Sequence, residues 1–112
     1  MSDRIHDLLK SYAEGIYRIL GDALDAVILY GSYARGDYTE DSDIDIMVLV
    51  SPAEVECREK KEELSSFTYD FNMEHDVQIM PIMKQTSQFL YWLPVHPFYQ
   101  NVEREGVNLY VA

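Results

Sequence analysis

Two continuous apolar runs in the first half of the chain, Ala26-Val-Ile-Leu-Tyr30 and Asp43-Ile-Asp-Ile-Met-Val-Leu-Val50, constrain the fold more than anything else in it. Short apolar runs bounded by turn residues are the pattern of strands covered on both faces, so helices must lie above and below whatever sheet they form. The first run stops abruptly at Gly31-Ser32. The second begins with two acids and is reached through a polar stretch from Arg35 to Ser42.

The flanking segments supply the covering helices. Ile5, Leu8, Leu9, Tyr12, Ile16, Ile19 and Leu20 recur at three- and four-residue steps, which predicts an amphipathic helix over Asp3 to Leu20 with Gly21 ending it. Pro52 closes the second strand and opens a charged helix, roughly Ala53 to Phe67. Glu74 to Ile82 reads as a third strand, polar at first and apolar at Val77, Ile79 and Ile82. Lys84 to Leu93 reads as a short helix broken by Pro94 and Pro97, and Gly106 to Ala112 as a short strand or an ordered tail. Helices alternating with three strands imply an α/β (α+β) fold, a small mixed sheet with helices packed against it. The aromatics Phe89, Tyr91, Trp92, Phe98 and Tyr99 are expected mostly in the core, with some left to face a partner.

At 112 residues the chain is expected to form one domain, 1–112, with a modest core and no second domain for an acceptor. A net charge of −11 argues against direct binding of nucleic acid, which needs clustered Lys and Arg to displace counterions, and favours a basic protein partner or divalent cations. No apolar run approaches the roughly 20 residues of a membrane-spanning helix. The opening residues lack a secretory layout and Cys57 is the only cysteine, so a cytoplasmic setting is expected. His6, His75 and His96 are scattered without companion cysteines, which argues against zinc.

Chemistry concentrates in Gly31-Ser-Tyr-Ala-Arg-Gly-Asp-Tyr-Thr-Glu-Asp-Ser-Asp-Ile-Asp45. A glycine at a strand end allows a tight turn and close approach of a ligand, and the residues after it can open a helix whose free N–H groups favour phosphate. Ser32 adds a hydroxyl donor there. Asp43 and Asp45, two apart, share a strand face at roughly 7 Å along the strand. Such a pair repels itself unless a cation neutralises it, and hard carboxylate oxygens suit Mg²⁺ completed by water and phosphate oxygens. Two ions about 3.5–4 Å apart would clamp the attacking and leaving oxygens of an in-line displacement at phosphorus. Asp76 is the preferred third carboxylate, as a metal ligand and possible base, with Glu74 the fallback. Arg35 suits either a triphosphate or a neighbouring carboxylate. Asp37, Glu40 and Asp41 read as a solvated loop.

Gly31-Ser-Tyr-Ala-Arg-Gly36 followed by Ser42-Asp-Ile-Asp-Ile-Met-Val48 closely resembles the signature of the DNA polymerase beta-like nucleotidyltransferase superfamily. The short length places the resemblance with the minimal nucleotidyltransferases, the MntA-type antitoxins encoded beside HEPN-domain toxins. Asn101-Val-Glu-Arg-Glu-Gly-Val107 looks like that family's usual ending. The resemblance implies a mixed sheet flanked by helices and triphosphate held by Gly31 and Ser32. It implies Mg²⁺ on Asp43 and Asp45, with Asp76 completing the triad. It further implies transfer of AMP from ATP to a tyrosine of a partner HEPN toxin, as the antitoxin of a type VII-like pair. The competing expectations are a non-catalytic antitoxin that occludes its partner, and nucleotidyl transfer to a small molecule such as an aminoglycoside.

Overall fold

The computed structural model describes residues 2–51 and 54–112, with the side chains of 54–57 outside the description. The roles assigned to Pro52 and Ala53 lie outside the described residues. The first helix, α1, spans Asp3–Leu20 as its periodicity requires. The Ser2 hydroxyl accepts the Ile5 N–H at 3.3 Å, and Gly21, at φ 56°, ends it with its own N–H donated to the Tyr17 carbonyl. After a 3₁₀ turn at Gly21–Ala23 come β1 (Leu24–Tyr30), the one-turn helix α2 (Ser32–Arg35) and β2 (Ile44–Val50). They are followed by α3 (Glu54–His75), β3 (Ile79–Gln85), α4 (Thr86–Trp92), α5 (Pro97–Glu105) and β4 (Val107–Val111).

The sheet is four-stranded and mixed, in the order β3-β2-β1-β4. β1 is antiparallel to both β2 and β4, whereas β2 and β3 run parallel, with Ile44 opposite Ile79 and Asp45 opposite Met80. The C-terminal segment is therefore a fourth strand, and the mixed sheet flanked by helices is as expected.

Alternation along the strands divides the core in two. Val27, Leu29, Ile44, Ile46, Val48 and Val50 point to the layer of α1 and α3, where they meet Leu9, Tyr12, Ile16, Leu64 and Phe71. Each such side chain taken out of water contributes roughly 1.5–3 kcal/mol before the entropy of ordering it is subtracted. Ile28, Met47 and Leu49 point the other way, to a smaller cluster with Phe89, Tyr99 and Val102 from α4 and α5. Asp45 shares this second face with Met47. The larger core thus holds the sheet rigid from behind, and the lightly covered face carries the acid.

The α3–β3 and β3–α4 boundaries differ from the sequence reading, and α5 is a helix that reading did not contain. The helix α3 runs on to His75, beyond Phe67, because Leu64, Thr68 and Phe71 continue its buried stripe, and the Thr68 hydroxyl hydrogen-bonds that of Tyr12 at 2.7 Å. It ends at Asp76, whose φ of 53° is left-handed, with the Val77 N–H donated to the Asn72 carbonyl at 3.2 Å. Glu74 and Asp76 are therefore not strand residues. The Asn72 amide bonds both the N–H and the carbonyl of Ile79, at 2.9 and 3.1 Å, and so anchors the start of β3. At the far end Lys84 and Gln85 belong to β3, and α4 starts only at Thr86. There the Thr86 hydroxyl reaches the Val50 carbonyl at 3.3 Å and the Asp25 carboxylate, which also accepts from Ser51.

Candidate active site

The end of β1 makes the site. Gly31 sits at φ 75°, ψ −155°, a backbone region essentially restricted to glycine. Its carbonyl accepts the N–H groups of Ala34 and Arg35, both at 3.1 Å, so α2 starts directly from the turn with Ser32 as its first residue. Gly36, at φ 89°, closes that single turn by donating to the Ser32 carbonyl at 2.9 Å. A side chain on Gly31 would run into the Asp45 carboxylate. The strand-end glycine and the second acid are thus in van der Waals contact, although fourteen residues separate them in sequence.

Asp43 and Asp45 arrive on the neighbouring strand. A turn in which the Ser42 N–H reaches the Thr39 carbonyl at 3.1 Å, and the Thr39 N–H reaches the Ser42 hydroxyl at 2.9 Å, feeds the chain into β2. Asp43 is exposed at the strand's mouth, and Asp45 is half-buried between β1 and β3. Burial first, and then the negative charge of Asp43, pushes the Asp45 carboxyl above the ordinary carboxylate value, while Arg35 pulls it partly back. Beside it, burial and then the charge of Asp45 raise the Tyr30 phenol to about 12.

These groups open on a cleft of about 380 Å³ lined by Tyr30, Gly31, Ser32, Arg35 and Asp45 from the strand ends, and by Phe98, Asn101 and Glu105 from α5. Tyr30 and Phe98 meet edge to face with centroids 5.5 Å apart. Among the described residues Arg35 is the single cation lining the cleft, and it is held at 3.3 Å by Asp37 and at 3.5 Å by Glu105. The structure therefore brings Gly31, Ser32, Arg35 and Asp45 together, with Asp43 close enough for its charge to act on Asp45.

Asp76 lies elsewhere. It lines a second cavity with Glu40 and Asp41, and among the described residues no group of three His, Cys, Asp or Glu side chains is gathered closely enough to hold a metal ion. On β3 the residue opposite Asp45 is Met80. Glu74 is an exposed residue of the last turn of α3, 3.9 Å from His75. Two carboxylates, one half-buried and one exposed, that repel each other beside the glycine turn fit Mg²⁺ shared with a substrate's phosphates. That ion ordinarily takes only one or two protein carboxylates.

Tyr30, Phe98, Asn101 and Glu105 were not picked out as site residues from sequence. Tyr30 could have been, as the residue that directly precedes the Gly31 turn. The α5 residues reach the cleft only through the fold.

A family model described as nucleotidyltransferase domain matches residues 11–99. The chain belongs to the nucleotidyltransferase domain family. A Methanocaldococcus jannaschii protein provisionally named a protein adenylyltransferase is 39% identical over 106 residues, covering 94% of this chain and 98% of its own. Among solved structures, a provisionally named nucleotidyltransferase of Sulfolobus solfataricus superposes with a TM-score of 0.65 at 22% identity, covering 96% of this chain and 81% of that one. A complex of a tri-AMPylated Shewanella oneidensis HEPN toxin with its MNT antitoxin gives 0.52 at 17% identity, covering 96% and 73%. These two likenesses show that this nucleotidyltransferase shares their fold.

Proposed function

We propose that this nucleotidyltransferase transfers AMP from ATP to a tyrosine hydroxyl of a partner HEPN toxin and thereby acts as its antitoxin. The observation that carries the reading is the cleft in which the Gly31 turn, the Ser32 hydroxyl and the Arg35 guanidinium face the Asp45 carboxylate across two adjacent strands. The donors suit a triphosphate, and the carboxylates suit the cation that accompanies it. Support for a protein acceptor comes from the provisional name of the M. jannaschii relative. Support for the HEPN partner comes from the AMPylated toxin in the S. oneidensis complex.

In this reading the N–H groups and hydroxyl at Gly31 and Ser32 hold the β- and γ-phosphates, and Arg35 stabilises charge as pyrophosphate leaves. Asp43 and Asp45 would hold Mg²⁺, which supplies neutralisation of the phosphate oxygens at the reacting phosphorus. Phe98 and Tyr30 wall the cleft beside Asp45.

The test presents the product of the adjacent gene to this protein and to its variant combining Asp43→Asn and Asp45→Asn. The unmodified protein should silence a HEPN toxin's ribonuclease in the presence of ATP and Mg²⁺ and leave AMP on it. The double variant should bind the toxin and lose silencing by about 10³-fold or more in rate, the scale of removing electrostatic stabilisation from such a transfer. Undiminished silencing by the double variant would make occlusion, not catalysis, the mechanism.

A further inference from the structure

A second cavity lies on the β3 side of the carboxylate pair, lined by Ser42, the neighbour of Asp43, and by Met80, opposite Asp45, but by neither acid itself. It measures about 630 Å³ and is bounded by Tyr33 and Ser42 next to Asp43, by Asn72 and Asp76 at the end of α3, and by Gln78 and Met80 on β3. Glu40 and Asp41 complete its wall, and no Lys, Arg or His is among its lining residues. Its rim is apolar and open to solvent, with Tyr69 66%, Met73 69% and Met80 53% exposed. Tyr33 is held in place by Tyr38, stacked at 4.1 Å and 8°.

The position of this cavity follows from the reaction proposed above, on which the inference rests. An in-line displacement needs the attacking and leaving oxygens on opposite sides of phosphorus. Pyrophosphate leaves towards Gly31, Ser32 and Arg35 in the smaller cleft at the end of β1, so the attacking hydroxyl comes from the other side of β2, the β3 side, where Ser42 and Met80 line the larger cavity. We infer that the cavity between α2, the end of α3 and β3 is the acceptor groove, and that it takes a polypeptide segment whose hydroxyl is flanked by basic side chains. Glu40, Asp41 and Asp76 pair with the flanking cations, and the exposed Tyr69, Met73 and Met80 take the segment's apolar side chains. The acceptor oxygen forms its bond to the α-phosphorus, the bond from that phosphorus to the bridging oxygen breaks, pyrophosphate departs with the electron pair, and the hydroxyl proton leaves to water.

Binding of two fluorescein-labelled peptides to the whole protein, without nucleotide, tests the groove separately from transfer. Each carries a central tyrosine, flanked on both sides by Arg in one and by Glu in the other. At low salt the Arg-flanked peptide should bind at least about tenfold more tightly. Glu40→Lys with Asp41→Lys should abolish that preference. Glu59→Lys with Glu62→Lys, the same charge change on the exposed face of α3 and off the groove, should retain it. Equal binding of the two peptides, or an equal loss in both variant pairs, would overturn the groove and leave the transfer reading standing. A groove that binds as expected in a protein that labels no acceptor would instead overturn the transfer reading.

Discussion

Gly31 bears two constraints at once, a backbone conformation that other residues resist and a carboxylate against its Cα. Gly31→Ala should therefore destabilise the protein by about 1–3 kcal/mol in chemical denaturation from backbone strain alone, and should also displace Asp45. Asp45 itself is held at a cost. Its carboxyl is raised by burial and by Asp43, so the folded state keeps a proton that the unfolded chain gives up. Stability is thus lost as pH climbs from the unfolded carboxylate value, near 4, through the raised folded one. Without divalent cations, Asp45→Asn should melt at the same temperature as the parent or higher at pH 7, and the difference should vanish below about pH 4. A lower melting temperature for the variant at pH 7 would show that the carboxylate is satisfied without a cation. At this scale much of the site was legible in the sequence. Gly31, Ser32, Arg35 and Asp45 do line one cleft, because a strand-end glycine and an alternating acid pair are local patterns that survive folding.

Among elements, α1 was readable to the residue, since its apolar spacing and the Gly21 stop are both written in consecutive positions. The end of α3 was not. Asp76 takes the left-handed capping position that glycine or asparagine usually fills, so the chain offers no breaker after Phe67 and the helix absorbs a segment that reads as a strand. This is why Asp76 and Glu74 do not join the Asp43–Asp45 pair. β3 begins only at Ile79, where Asn72 reaches over to bond it. The packing of α1 on α3 depends on Tyr12, wholly buried, stacked on Phe67 at 5.4 Å and bonded to Thr68. Tyr12→Phe keeps the ring contacts and loses the hydroxyl pair. It should cost about 1 kcal/mol, seen as a fall of roughly 4–8 °C in Tm. No change would mean that Thr68 finds another acceptor at no cost.

For the molecule as a whole, one thick core behind the sheet and a thin one in front leave two cavities near the Asp43–Asp45 pair, the smaller at the end of β1 and the larger at the edge made by the end of α3 and β3. The smaller cleft has Arg35 as a counter-charge, whereas the neighbouring groove has three carboxylates and no cation among its lining residues. Among the described residues no helix is long and apolar enough to cross a membrane. The central claim is that phosphorus is attacked at the α position, with pyrophosphate held at the Gly31 turn. It is tested most directly by giving the protein and its proposed HEPN partner ATP labelled either in the α- or in the γ-phosphate. Label on the partner from α-labelled ATP alone, with release of pyrophosphate, is the predicted result. Label from γ-labelled ATP would make the cleft a phosphoryl-transfer site and contradict the account.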